Sequence, residues 1–367
     1  MRMLLRLPPA FVGAGGAMSQ PASEPAPEPP AESGETSGGT CLAPLDFSGA
    51  CLVAPPAPAQ AQAEPAPTPD AAALADLLVA HSFGDTAALL PSAAIARRVI
   101  LDTIRAQHRI SGRPKRRDLL VCAGDAPLPP EFAGDAEVSR MPDEIGAIRA
   151  AVGPKTAGLF VAPVRLAAGI EMLPGSFLAE LREAADEYGL ALIFDETAAG
   201  LGRTGMAFAH EWTGVTPDLM LVGEGAGLSL AALVLTAKWA RGLPGALPVV
   251  AGEALASAGV VLETAFAPGF EGRVQALGWL LEDRLATLRY RRADLFSGLV
   301  GTGLAQGLVC TVPPDDLAAR LAGAGLVTRP LGQVLAVLPP LTVTEAEISA
   351  AADMLERVVA ELEPATP

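Results

Sequence analysis

Residues 190–205 read LALIFDETAAGLGRTG. An apolar run ends in Asp195-Glu196, and a glycine-rich turn carrying Arg203 follows. A short apolar run bounded by turn residues predicts a strand buried on both faces. In an open α/β sheet, ligands collect outside the carboxyl ends of the strands, so an Asp at this point is placed to meet a cationic group. The same Asp also reads as a helix cap or turn residue, and local chemistry leaves both uses open.

The pattern repeats outward in both directions. Apolar runs predict strands over 118–123, 157–163, 219–222 and 230–236. Helical spacing of apolar residues predicts helices over 72–81, 92–108, 145–152 and 176–188, with Ser92 as an N-cap after Pro91. Short buried strands alternating with helices imply an α/β fold, a mostly parallel central sheet flanked by helices. After about residue 243 the pattern changes. Helices over 274–288, 315–324 and 345–363, with strands over 299–312 and 334–338, predict a smaller C-terminal α+β domain. The expected division is a large domain over 71–245 and a small one over 246–367.

Residues 1–70 differ from the rest. They hold 14 of the 34 prolines, and no Lys or Arg stands between Arg6 and Arg97. A disordered tail is expected over 1–40, and a remnant plus Pro/Ala linker over 41–70. Two short apolar pieces, 41–47 and 49–53, suggest a small hairpin. Residues 1–17 resemble a secretory leader, but Arg6 and Pro8-Pro9 interrupt the apolar run, and Met18 is an alternative start.

The 367 residues carry a formal charge of -15 and a pI near 4.7. That balance argues against nucleic acid or an anionic membrane as partner. The four Cys have no metal-ligand spacing, so neither a disulfide framework nor a zinc site is expected. No apolar run is long enough to predict a transmembrane helix. The cytoplasm is the default expectation. The chain contains only three lysines, Lys115, Lys155 and Lys238.

The segment ALIFDETAAGLGRTGMAFAHEWTGVTPDLMLVGEG, residues 191–225, resembles the central signature of class-III aminotransferases, closest to the acetylornithine/ornithine branch. GPKTAGLFVAPV (153–164), LAELREAADEYG (178–189) and VLPPLTVTEAEISAAADMLE (337–356) extend the likeness over roughly residues 71–365. The resemblance implies the fold type I architecture of pyridoxal-phosphate enzymes and a transaminase ancestry.

It also implies roles for particular residues. Such an enzyme needs a lysine to form a Schiff base with the cofactor aldehyde. After Pro217-Asp218-Leu219-Met220, Glu224 stands at the lysine position, and a carboxylate cannot form an imine. Asp195 matches the residue that keeps the pyridine nitrogen protonated. Thr197 and Ala198 stand where Val and Gln pack under the ring and bond its phenolic oxygen. Ser92-Ala93-Ala94 matches the helix start that receives the phosphate. Thr264 lies beside the position of a partner-subunit Thr that completes the phosphate site. Ala126 replaces the aromatic that stacks on the ring.

Ala336 replaces the Arg that holds the substrate carboxylate, and 165–169 lacks the Glu that pairs with that Arg. Both members of one ion pair are gone together. Loss of one alone would leave a buried unpaired charge costing roughly 3–5 kcal/mol. Three readings follow. The chain is a pseudoenzyme with a binding or regulatory role, its pyridoxal phosphate non-covalent if present, or a pyridoxal-phosphate transaminase of altered mechanism acting on an amino donor with 2-oxoglutarate, or a decaying gene product. Family assembly implies a homodimer, or a heterodimer with an active paralogue, with interface segments at 206–208 and 265–270.

Overall fold

Asp195 ends the middle strand of a seven-stranded sheet. The computed structural model describes residues 45–49, 70–124, 126–223 and 228–362. The expectations of a tail over 1–40 and a linker over 54–69 fall outside those residues, and so does Glu224.

The strands lie in the order Thr86–Leu90, Ala231–Leu235, Leu219–Gly223, Ala191–Asp195, Thr156–Val161, Asp118–Cys122, Val138–Met141. Ala231–Leu235 runs antiparallel to both neighbours, and the other pairings are parallel. The mostly parallel α/β sheet expected from the sequence is therefore present.

Strand pleating sends alternate side chains to opposite faces. Leu119, Val121, Ile193 and Leu221 face the helix Ala93–Ile110 and pack with Ile100 and Ile104. Leu120, Leu159, Leu192 and Phe194 face the helix Gly175–Tyr188 and pack with Leu178 and Leu181. Both faces are covered, which explains why these strands read as continuous apolar runs.

The C-terminal third forms a four-stranded antiparallel sheet, in the order Phe296–Thr302, Ala305–Cys310, Val334–Val337, Arg329–Leu331. The helices Phe270–Arg291, Pro314–Gly323 and Glu345–Ala360 accompany it. One apolar cluster joins Leu74 of the helix Ala71–Ala80 and Met220 and Val222 of the seven-stranded sheet to Leu281, Leu308 and Leu355 of this region.

Three expectations need correction. The strand expected over 299–312 is a hairpin of two strands. Gly301 (φ +96°) and Gly303 (φ +57°) adopt backbone that side-chained residues rarely reach, so the chain reverses there. The hairpin suggested for 41–53 has no support in its described part. Leu45–Asp46 pairs in parallel with Leu326–Val327 instead, and Phe47 is buried in the C-terminal core. Finally, the edge strands Thr86–Leu90 and Val138–Met141 and the helix Gly252–Ala265 were not expected. The edge strands are short and Ala-rich or polar, and helix 252–265 is mostly Ala, Gly and Val, so periodicity is weak in all three.

Candidate functional site

The helix Ala93–Ile110 opens at Ser92, whose extended backbone turns its Oγ to accept from the Ile95 N–H at 3.2 Å. That bond satisfies one of the N–H groups left open at a helix start. Ser92, Ala93 and Ala94 thus form a capped N-terminus, as their sequence predicts. Ala93 is 4% exposed and lies against the sheet.

Arg97 stands one turn further along and links this helix to Asp195. Its Nε donates to Asp195 Oδ2 at 3.2 Å and its Nη2 to the same oxygen at 3.1 Å. The other carboxylate oxygen, Oδ1, accepts from Thr197 N at 3.1 Å and Thr197 Oγ1 at 2.6 Å. Glu131 approaches Arg97 Nη1 at 3.5 Å from the far side. Its segment is anchored by Phe132, buried edge-on against Phe160. Ser92, Asp195 and Thr197 are therefore gathered around the first turns of one helix.

Thr264 is not part of that group. Its Oγ1 donates to Val260 O at 2.7 Å within its own helix, and it lines a separate groove with Pro268, Phe270 and Arg273.

A cavity of about 720 Å³ lies beyond the carboxyl end of Asp118–Cys122. Gly124, Ala126, Arg165, Ala168, Ile170 and Val334 line it. Arg165 donates from Nη1 and Nη2 to the two oxygens of Asp143, at 2.6 and 2.8 Å, and reaches Glu171 at 3.1 Å. Burial works against its charge, but those carboxylates outweigh it and raise the guanidinium pKa. Arg165 is thus already committed to carboxylates of the chain itself. Burial pushes the Cys122 thiol beneath it up to about 12, which removes it as a nucleophile. Ala336 is fully buried between Gly307 and Arg329 in the C-terminal sheet.

The lysines lie at the opposite side of the sheet from Asp195. Lys155 precedes the first residue of Thr156–Val161, and its carbonyl accepts from the N–H of Asp118, the first residue of the next strand. Lys115 sits in the turn just before Asp118. Lys238 follows Leu235, which pairs with the first residue of Leu219–Gly223. Its Nζ lies 4.8 Å from the Trp239 ring, and Trp239 packs on His108. His108 is near the end of the helix that Ser92 opens, about 24 Å away at 1.5 Å per residue.

Residues 73–359 match the model of the class-III aminotransferases. The chain belongs to the class-III aminotransferase family. It is 35% identical over 314 residues to acetylornithine aminotransferase 1 of Bradyrhizobium diazoefficiens, covering 79% of this chain and 78% of that relative. The acetylornithine aminotransferase of Rhodobacter capsulatus is 33% identical over 322 residues, 79% of this chain and 80% of its own. Among solved structures, an ornithine aminotransferase from Toxoplasma gondii superposes with TM-score 0.72 at 20% identity, covering 82% and 80% of the two chains. N-acetylornithine aminotransferase from Stenotrophomonas maltophilia gives 0.68 at 25% identity, over 79% of each.

Enzymes of the class-III family work with pyridoxal phosphate, whose pyridine nitrogen needs a carboxylate. The described side chains do not fit that group as they stand. Asp195 already accepts four hydrogen bonds, two on each oxygen, which fills the roughly four lone-pair sites of a carboxylate. Sequence reasoning missed Arg97 and Glu131. A signal for Arg97 existed: it falls at i+4 from Ala93 and i−4 from Leu101, on the buried stripe of its helix.

Proposed function

We propose that this chain is a class-III aminotransferase homologue without imine chemistry, serving as a binding or regulatory subunit in a dimer with itself or with an active paralogue. The observation that carries this reading is the position of the lysines. All three stand at the amino edge of the parallel strands, while Asp195 is at the carboxyl edge and position 224 is Glu. A cofactor ring seated on Asp195 would have no lysine within reach. Ala126 and Ala336 point the same way, offering neither an aromatic face for the ring nor a guanidinium for a substrate carboxylate.

The test is the purified full chain incubated with excess pyridoxal phosphate, reduced with borohydride and weighed intact. No stoichiometric adduct is expected. A stable adduct of one cofactor per chain would sink the reading. Assembly is tested separately by light scattering. A dimer is expected to persist at tens of micromolar, since an interface of ordinary size holds there. Co-purification with an intact aminotransferase would mark the hetero-dimeric form.

One observation favours a second reading, a transaminase of altered mechanism acting on an amino donor with 2-oxoglutarate. Asp195 keeps its place at the carboxyl end of the middle strand, and Ser92 keeps its cap. An imine absorbance with turnover of such a donor would establish it.

A further inference from the structure

We infer that Arg97 takes the place of the cofactor's pyridinium as the cation of Asp195, so that the fold is complete without the cofactor and disfavours its return. This deepens the proposed loss of imine chemistry, and rests on that reading for its context, but concerns the ring site rather than the lysine.

A protonated pyridine and a guanidinium are both planar, delocalised cations that donate N–H to a carboxylate. They differ in one respect. The pyridine holds its proton only with help from the carboxylate, whereas a guanidinium is charged at any physiological pH. Arg97 delivers two donors to Oδ2 of Asp195, and Thr197 delivers two to Oδ1.

The pair is held on every side. Side-chain exposure is 16% for Arg97, 7% for Asp195 and 12% for Glu131. Arg97 rises from the buried stripe of a long helix, and Glu131 covers its outer nitrogen. A pyridinium entering here must displace Arg97 from Asp195 and leave a second cation beside it, with Glu131 as its one remaining acidic partner among the described residues. A site emptied of its cofactor would otherwise leave the Asp195 charge nearly buried and unpaired, which is strongly destabilising. Arg97 removes that dependence.

The experiment uses pyridoxamine 5′-phosphate, which has no aldehyde and reports ring and phosphate binding alone. Its fluorescence is titrated against the full-length wild type, Arg97→Ala, Arg97→Gln and Arg97→Lys, with thermal unfolding measured for each. Arg97→Ala and Arg97→Gln are expected to bind at least about tenfold more tightly than the wild type, the factor carried by one modest polar interaction. Arg97→Lys keeps the cation and is expected to stay weak.

Unchanged or weaker binding by folded Arg97→Gln overturns the inference, and so does tight binding by Arg97→Lys. The wild type supplies a check that needs no variant. Its unfolding temperature is expected to stay level with millimolar pyridoxamine phosphate (the order of magnitude where weak ligands begin to bind), and a saturable rise overturns the inference. A borohydride-fixed adduct of pyridoxal phosphate on the wild type would instead contradict the proposed loss of imine chemistry, because this probe cannot form one.

Discussion

Glu196 Oε1 lies 2.7 Å from His210 Nδ1, with both side chains buried in a ring of phenylalanines. The same carboxylate accepts from the backbone N–H of Ala209 and of His210. Glu196 follows Asp195 directly, yet its work is different. It anchors the turn Ala209–Thr213 and leaves Asp195 to face Arg97.

Glu196→Ala strands three buried donors. An unfolding free energy lower by about 3 kcal/mol is expected from urea titration, the usual cost of removing one side of a buried charged network. A loss under half that would mean that water reaches the turn.

His108 predicts a pH dependence. Burial lowers its pKa below the ordinary 6.5, and the nearby charges of Arg116, Arg113 and Lys238 lower it further, against the hydrogen bond to Ala157 O. A histidine with a depressed folded pKa binds protons more readily when unfolded. Its contribution to stability is complete above pH 6.5 and shrinks as pH falls from there through the lower folded value. The urea midpoint of the wild type should therefore fall more between about pH 7.5 and 5.5, bracketing that ordinary value, than the midpoint of His108→Asn. Equal falls would remove His108 as the cause.

Gly223→Ala addresses the end of the strand Leu219–Gly223. A β-carbon there would lie 2.2 Å from Leu230 O, and the backbone has φ +123°. Backbone and sheet must both shift, so a loss of roughly 3 kcal/mol is expected, combining strain and overpacking. Ala tolerated at this position within about 0.5 kcal/mol, the range of an uneventful surface change, would contradict the geometry.

Glu224→Lys places an amine at the position that the family resemblance gives to the Schiff-base lysine. A faint borohydride-fixed adduct and no transamination are expected, measured by intact mass and by glutamate formation from 2-oxoglutarate. Ala336 offers no bidentate anchor for a substrate carboxylate, a contact of about 1.5–3 kcal/mol. Full adduct formation with turnover would show that the single Glu was the whole defect.

Much of the fold was legible in the chain itself. The runs over 118–123, 157–163, 190–195 and 219–222 read as buried strands because each is covered on both faces and so has no polar alternation to hide it. Ser92 read as a helix cap because capping depends on the next three residues alone. Edge strands such as Val138–Met141 were not legible, since their residues answer to one covered face and to solvent.

By itself the sequence determined identities: three lysines in the whole chain, Glu at 224, and Ala at 126 and 336. Those are statements of identity at positions set by a motif. Only the tertiary structure decided what Asp195 meets. Arg97 and Asp195 are 98 residues apart, and no local pattern couples them. They meet because the helix Ala93–Ile110 lies across the sheet face with its first turns at the carboxyl end of the Ala191–Asp195 strand. An ion pair is a property of distance and desolvation, and both arise when the helix packs.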